Sequence, residues 1–331
     1  MNYRTLEWPS RLCIEITNAC NMSCAHCLYA ADRAEIREIS GAALEGALRA
    51  AEKADLVAVD GGGEVLISDK TITLLARIAE KAPVAFTTNG KNLSPEVLDR
   101  LPLERVTDIH VSFDGFEEGP WRLLRRGANP ARIFEAVRST AAEIERRGAA
   151  TALWANIMLT TINIESLGET IKRLAAAGVR HFHLIHIIVT EARLARFSLF
   201  NAESACNKAL EAARVLAGDL DVSLAAPEPF GRPREPRGAA WPYHYPCDEP
   251  FRAAFVRSNG VVSACCDPRM VMGDLCAHDF KTVWTSAAYR RLRAAVNSTD
   301  PPRICRRCIH PRYINVDLEH APACRPQGVR R

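Results

Sequence analysis

The chain has 331 residues, a formal net charge of +4 and 48% hydrophobic residues, which is ample for one large domain and a smaller one. The mild charge provides no basic stripe that would follow nucleic-acid phosphates, so no nucleic-acid partner is expected. No basic-then-apolar signal pattern opens the sequence, and its longest apolar run, 184–189, is too short to cross a membrane. We therefore predict a cytoplasmic protein with no membrane partner.

Short β-like runs alternate six times with amphipathic helical stretches between Leu12 and Gly218. This alternation predicts a parallel sheet with helices outside it, as in an open, partial (β/α)6 TIM-like barrel. Helix starts are marked at Ser94 and Asn129, where a capping side chain precedes a proline. The predicted strands are 12–17, 56–60, 84–88, 108–113, 151–160 and 180–189, and glycines that should end helices are Gly148, Gly178 and Gly218.

Polar side chains alternate with apolar ones along several of these strands. Because alternate side chains point to opposite faces, the polar set should line the barrel lumen and form a cavity for a polar ligand. That set comprises Cys13, Glu15, Thr17, His110, Ser112, Asp114, Trp154, Asn156, Met158 and Thr160. In the sixth strand His181 and His183 share one face and His186 and Thr190 the other, and the pattern does not decide which pair reaches the lumen.

Three cysteines, Cys20, Cys24 and Cys27, lie within eight residues directly after the first strand. Thiolates at such spacing select zinc or an iron–sulfur cluster rather than a hard cation. Three ligands are one fewer than a closed tetrahedral or cubane site needs, so one position stays open. On spacing alone, a structural zinc site completed by His26 or by a distant residue is the alternative.

Further polar motifs follow the second, third and fourth strands, at the ends where barrels of parallel strands place their chemistry. They are Asp60-Gly-Gly-Gly-Glu64, Asn89-Gly90 and Ser112-Phe-Asp114-Gly115. A glycine run lets the backbone approach a ligand closely, and a carboxylate behind it can receive an ammonium group.

The cysteine spacing together with these motifs resembles the signature of the radical S-adenosylmethionine (SAM) enzymes. The resemblance implies that Cys20, Cys24 and Cys27 hold a [4Fe-4S] cluster and that SAM chelates its fourth iron. Two positions depart from the family pattern, since His26 stands where an aromatic residue is usual and Val65 replaces a proline. The SAM-binding residues implied are Gly62, Gly63, Glu64, Asn89, Ser112, Asp114, Asn156 and, for the SAM carboxylate, Arg125 or Arg126.

A proline-rich stretch, 226–246, predicts a linker between the barrel domain, 1–225, and a small C-terminal domain, 247–331. The C-terminal domain resembles the twitch extension of radical SAM enzymes, the shortened relative of the SPASM domain. This resemblance implies one auxiliary [4Fe-4S] cluster for electron transfer, with a zinc ribbon as the alternative. The implied ligands are Cys247, Cys265, Cys305 and Cys308. The adjacent Cys266 could replace Cys265 or project toward the barrel mouth.

The resemblance implies reductive cleavage of SAM to a 5'-deoxyadenosyl radical that abstracts a substrate hydrogen. The segment Met270–Asp274 and the spacing of Cys247 and Cys265 are most similar to aminocyclitol dehydrogenases. The leading hypothesis is therefore oxidation of an alcohol to a ketone in a small polar natural product (a sugar, aminocyclitol or aminoglycoside), with the electron passing to the auxiliary cluster. Candidates for the base are Glu15, Asp60 and His110.

Other readings remain open. One is epimerisation, with Cys266 as the hydrogen-atom donor. Another is modification of a ribosomally made peptide, which is disfavoured because the cysteine motif begins at residue 20 and leaves no room for a fused leader-binding domain. A zinc-binding interaction module is the non-enzymatic alternative. The predicted electron donor is an acidic flavodoxin or ferredoxin. Arg303, Arg306, Arg307 and Arg312 are either a solvated basic surface or the place where this donor docks.

Overall fold

The structure is a computed structural model that describes residues 6–27, 29–189, 192–231 and 247–305. Within these ranges one ten-stranded sheet has the order β10-β9-β8-β1-β2-β3-β4-β5-β6-β7. Its strands are β1 (Arg11–Ile14), β2 (Leu56–Val59), β3 (Val84–Thr88), β4 (Val106–Ser112), β5 (Ala152–Leu159), β6 (His181–His186), β7 (Ser223–Ala225), β8 (Ala253–Val256), β9 (Val261–Ser263) and β10 (Val271–Asp274).

Helices connect successive strands. The α-helices are α1 (Gly41–Ala51), α2 (Asp69–Ala79), α3 (Pro95–Leu98), α4 (Glu118–Leu124), α5 (Pro130–Arg147), α6 (Leu167–Ala176), α7 (Glu203–Asp219), α8 (Glu249–Arg252), α9 (Phe280–Trp284) and α10 (Ala287–Ala295). The 3-10 helices are Ala31–Ala34, Leu103–Arg105, Ala192–Phe197 and Leu199–Asn201. No helix in the described ranges is long and apolar enough to cross a lipid bilayer.

The first six strands are parallel and adjacent in chain order, so the predicted partial barrel is confirmed. Leu12 and Ile14 of β1 are fully buried in the core that the outer helices share. The opposite face carries Cys13 and the polar set of the other strands, many of whose members are only half-buried. This division places apolar side chains under the helices and leaves a polar interior.

Most predicted helix ends coincide with capping geometry. The side chains of Ser94 and Asn129 accept hydrogen bonds from the first turns of α3 and α5, and Gly148 ends α5 at φ +59°. Gly218, in contrast, lies inside α7, which ends one residue later. The predicted end of this helix is therefore one residue early, and the left-handed residue that follows the helix is Asp221, at φ +52°, and not Gly218.

The C-terminal region joins the barrel through its sheet. Strand β8 pairs in parallel with β1, with Arg11 opposite Ala253, and β8 and β9 form an antiparallel hairpin. Gly260 turns this hairpin at φ +87°, where a Cβ would lie 2.9 Å from the Cys276 sulfur. The hairpin thereby brings the segment that follows β9 next to the end of β1.

Candidate active site

The cysteine loop, residues 20–27, is held by contacts at both of its ends. Asn18 donates to the Glu35 carbonyl at 2.7 Å and accepts from the Arg37 amide at 2.7 Å. At the far end, Ser23–Cys24 pairs with Arg125–Arg126 as a short antiparallel ribbon, and the Ala25 amide donates to the Leu124 carbonyl. Hydrogen bonds therefore connect the loop both to the segment 124–126, which follows β4, and to the segment 35–37, which follows the loop itself.

Among the described residues, side chains donate hydrogen bonds to two of the three cysteine sulfurs. Arg33 Nη2 donates to the Cys27 sulfur at 3.1 Å, and Asn89 Nδ2 donates to the Cys20 sulfur at 3.8 Å. All three thiols are half-buried, and burial raises the pKa of Cys20 and of Cys24. Arg33 was not identified from the sequence because a single arginine in a loop carries no motif.

The donor set fits an iron–sulfur cluster better than a zinc ion. Zinc needs four ligands about 2.0–2.3 Å from one centre, whereas a cluster takes one thiolate for each iron. Across the described chain, no three Cys, His, Asp or Glu side chains converge on a single ion. His26 Nδ1 is buried and has no hydrogen-bond partner there, and burial lowers the pKa of His26 to about 4. Within the described residues, His26 therefore does not complete a four-ligand zinc site with Cys20, Cys24 and Cys27.

The loop that follows β2, residues 61–64, is called the glycine loop, and it packs directly on the cysteine loop. A Cβ on Gly63 would lie 2.3 Å from the Thr17 carbonyl oxygen, so only glycine fits. Glu64 is buried and accepts from Thr88 Oγ1 at 2.6 Å and from the Asn89 amide at 2.7 Å. Burial raises the pKa of Glu64. This carboxylate holds the ends of β2 and β3 together, beside the loop where the resemblance implies the SAM amino group.

The predicted residues at the end of β4 and after it comprise a buried ion pair, an exposed arginine and a half-buried serine. Asp114 and Arg125 are both buried and form a two-point ion pair. Asp114 also accepts from the Met158 amide at 2.9 Å. Arg125 is thus committed to Asp114, and Arg126 is the exposed one of the two arginines considered for the SAM carboxylate. Ser112 is half-buried on the lumen face.

Histidine and tryptophan line the lumen wall formed by β4, β5 and β6. His110, Trp154 and His181 stack in one row, with ring centroids 5.2 Å and 4.7 Å apart. Asn156 belongs to the next row, and its Oδ1 lies 3.3 Å from His110 Nδ1. His183 lies opposite Asn156 in the strand register. Burial lowers the pKa of His110, which favours its neutral form.

The structure answers the question that sequence left open in β6. His181 and His183 are in register with the lumen residues of β5. His186 is on the outer face, where its ring centroid lies 5.0 Å from that of Phe230. The other member of the outer pair, Thr190, lies outside the described residues.

A cavity of about 60 Å³ lies between β1, the glycine loop and the hairpin. It is lined by Cys13, Glu15, Tyr29, Asp60, Gly61, Phe255, Val256, Arg257 and Cys266. Asp60 is exposed in it and accepts from the Gly61 amide at 2.7 Å, while desolvation by the surrounding protein raises the pKa of Asp60. Cys266 is exposed, whereas its neighbour Cys265 is half-buried. Three predicted catalytic residues therefore share one cavity.

Glu15 has its two oxygens engaged by other parts of the chain. Oε1 accepts from Ser258 Oγ at 2.7 Å and from the Ser258 amide at 3.2 Å, and Oε2 accepts from the Gly62 amide at 2.8 Å. Arg257 lies 3.7 Å from Oε2. This geometry suits a carboxylate that connects β1, the glycine loop and the hairpin, and it argues against Glu15 as the base.

Only part of the predicted auxiliary ligand set is described. Cys247, Cys265 and Cys305 are half-buried, while Cys308 lies outside the described residues. The amide of Cys247 donates to Asn297 Oδ1 at 2.7 Å, and Asn297 donates back to the Cys247 carbonyl at 2.9 Å. Of the arginines predicted to dock an electron donor, Arg303 is exposed. The others, Arg306, Arg307 and Arg312, lie outside the described residues.

Two regions of the chain match the models of known protein families. Residues 14–174 match the model of the radical SAM superfamily. The chain carries a radical SAM domain. Residues 247–309 match SPASM, an iron–sulfur cluster-binding domain. These domains imply a SAM-binding [4Fe-4S] cluster, an auxiliary iron–sulfur cluster and SAM as cofactors. The match is to SPASM rather than to its shortened twitch relative, so the number of auxiliary clusters stays a prediction.

The chain is similar to the mycofactocin maturase of Mycolicibacterium smegmatis, with 33% identity over 114 residues. That alignment covers 34% of this chain and only 29% of the maturase. The Mycobacterium tuberculosis maturase is 32% identical over 114 residues, with the same coverage.

Solved structures share the fold at low sequence identity. Streptococcus suis SuiB bound to S-adenosylmethionine has a TM-score of 0.68 at 16% identity, covering 88% of this chain and 69% of SuiB. The protein anSMEcpe with bound AdoMet has a TM-score of 0.65 at 15% identity, covering 96% of this chain and 88% of that protein. The partial TIM-like barrel with a C-terminal SPASM domain is thereby established as the fold.

Proposed function

We propose that this radical SAM–SPASM protein modifies a peptide. The observation that carries the proposal is the 33% identity with a mycofactocin maturase over 114 residues. Two proteins of the same fold have also been crystallised with peptides, SuiB with its precursor peptide SuiA and anSMEcpe with the Cp18Cys peptide. A peptide is therefore preferred to the aminocyclitol-like alcohol that the sequence favoured.

When bound, the cluster and SAM supply a 5'-deoxyadenosyl radical for hydrogen abstraction. The residues of the chain position the substrate in the polar lumen and move its protons. Among the described residues only the Gly61 amide donates to Asp60, which leaves Asp60 Oδ2 for a ligand, in contrast to the engaged carboxylate of Glu15. In this proposal Asp60 is the proton acceptor, and His110 on β4, held through Nδ1 by Asn156, is the alternative.

The test is anaerobic turnover with candidate substrates after cluster reconstitution. Peptides encoded beside the gene are compared with aminocyclitols and free amino acids, and mass spectrometry follows 5'-deoxyadenosine and product. We expect 5'-deoxyadenosine and a mass change of the peptide that both depend on adding the peptide. Formation of 5'-deoxyadenosine with an aminocyclitol, accompanied by a product two hydrogens lighter and no peptide modification, would overturn the proposal in favour of alcohol oxidation.

Epimerisation is a second candidate, favoured by the position of Cys266 in the cavity beside Asp60. A thiol there would return a hydrogen atom to the opposite face of a substrate carbon radical, and one electron from the external electron donor and one proton from solvent would restore the thiol from the resulting thiyl radical. In D2O the product would carry one deuterium at an inverted centre, and Cys266→Ala would abolish this incorporation. Cys276→Ala is the matched control, because Cys276 is also exposed but is not among the cavity residues. Equal deuterium incorporation in both variants would exclude this role.

A further inference from the structure

Arg33 lies in the 3-10 helix Ala31–Ala34 and contacts two loops of the active site. Its Nε and Nη2 donate to the Gly62 carbonyl at 3.2 Å and 3.0 Å, and its Nη1 donates to the Met22 carbonyl at 3.1 Å. Nη2 also donates to the Cys27 sulfur at 3.1 Å. A single guanidinium thus joins the cysteine loop to the glycine loop.

The planar shape of the guanidinium explains why arginine serves here. Its fixed fork presents several N–H donors in different directions, whereas a lysine ammonium is a compact point charge on a flexible stem. Two N–H groups converge on one carbonyl, that of Gly62, while another reaches Met22 on the cysteine loop. Lysine could retain the positive charge near Cys27, but it could not reproduce this set of contacts.

The charge of Arg33 also distinguishes Cys27 from Cys20. Cys27 accepts from a cation at 3.1 Å, while Cys20 accepts from the neutral amide of Asn89 at 3.8 Å. Hydrogen bonds to ligand sulfurs and nearby charge tune the reduction potential of an iron–sulfur cluster. A cation stabilises the more negative, reduced state, so it raises the potential.

We propose that Arg33 is a positioning residue that fixes the glycine loop against the cysteine loop and raises the reduction potential of the cluster at Cys20, Cys24 and Cys27. This inference rests on the radical SAM assignment but not on the identity of the substrate. Its two parts are separable, because the loop contact needs the guanidinium fork and the potential needs the positive charge.

The test compares Arg33→Ala, Arg33→Lys and Arg33→Gln with Arg37→Ala. Arg37 is a nearby control because its guanidinium pairs with Glu35 instead of a cysteine sulfur. Hydrogen exchange of the cluster-free protein reports on residues 20–27 and 61–64, and an EPR-monitored redox titration of reconstituted protein reports the midpoint potential. Circular dichroism and iron content show whether each variant is folded and loaded.

For Arg33→Ala we expect a more negative midpoint potential and roughly tenfold faster exchange in both loops, since hydrogen bonds from a charged donor are lost. In Arg33→Lys the midpoint potential should stay near the wild-type value, because the positive charge is kept, but both loops should exchange as fast as in the alanine variant. In Arg33→Gln the midpoint potential should be more negative than in the wild type.

Wild-type exchange rates and a wild-type midpoint potential in Arg33→Ala would overturn the inference. If a variant does not fold, exchange in Arg33→Lys decides the loop contact. A wild-type protein that binds zinc and no labile sulfide would overturn the cluster assignment instead, and the exchange measurement on the cluster-free protein would still test the loop contact.

Discussion

Replacing Glu15 with alanine should separate the glycine loop from the hairpin and destabilise the whole fold. Glu15 is buried, accepts hydrogen bonds from Ser258 and Gly62, and lies 3.7 Å from the buried Arg257. Removing one partner of a buried ion pair costs about 3–5 kcal/mol, because the other charge stays buried. Glu15→Gln keeps one acceptor oxygen and the side-chain volume but also leaves Arg257 without its counter-charge, so we expect a loss at the lower end of the same range, about 3 kcal/mol.

The measurement is reversible urea unfolding of the cluster-free protein under reducing conditions, with hydrogen exchange at 253–263 and 61–64 as the local reporter. Glu52→Gln is the control, because Glu52 forms an exposed ion pair with Lys81 and its loss should leave the midpoint unchanged. Both Glu15 variants should also lose protection in the hairpin and in the glycine loop together. If Glu15→Ala unfolds at the same urea concentration as the control, the role of Glu15 as a connecting carboxylate is wrong.

Three further predictions concern other residues of the site. Gly63→Ala should reduce iron incorporation and thermal stability, because its Cβ would overlap a carbonyl oxygen 2.3 Å away, whereas Gly119→Ala, with open space around it, should retain both. Asp114→Asn should lower the free energy of unfolding by about 3–5 kcal/mol, as it leaves Arg125 buried without its counter-charge, and urea titration measures this. A base must be deprotonated, so turnover should fall as pH drops through the raised pKa of Asp60, and a pH profile of kcat/KM for Asp60→Asn should lack that limb while retaining residual turnover.

The sequence predicted the barrel because its signals are local. Alternation of short apolar runs with amphipathic stretches defines six parallel strands, and capping residues such as Asn129 and Gly148 define helix ends within a few positions. The cysteine triad and the glycine run were likewise recognisable, since each motif is contiguous. What depends on neighbouring residues in the chain was therefore accessible without coordinates.

The connection between the two domains was not predictable in the same way. Strand parity placed Glu15 in the lumen and suggested a base, but two of its hydrogen bonds come from Ser258, 243 positions away. Those bonds exist only because β8 adds to the free edge of β1, and no local pattern specifies which sheet edge a distant hairpin joins. Arg33 was missed for a related reason, since its function arises from three carbonyl and sulfur acceptors that tertiary structure brings together.

Gly62 is the point at which these long-range contacts meet. Its amide donates to Glu15, which also binds the hairpin, and its carbonyl accepts from Arg33, which also contacts Cys27. A Cβ at this position would lie 3.0 Å from the Cβ of Tyr29 and 3.2 Å from Glu15 Oε2, so any larger residue would require these two side chains to shift by a few tenths of an ångström. Because both polar groups of one residue are fixed by two different parts of the chain, movement of the hairpin must displace the glycine loop or break a hydrogen bond. We therefore expect substitutions in the hairpin to alter the cluster environment without touching a cysteine.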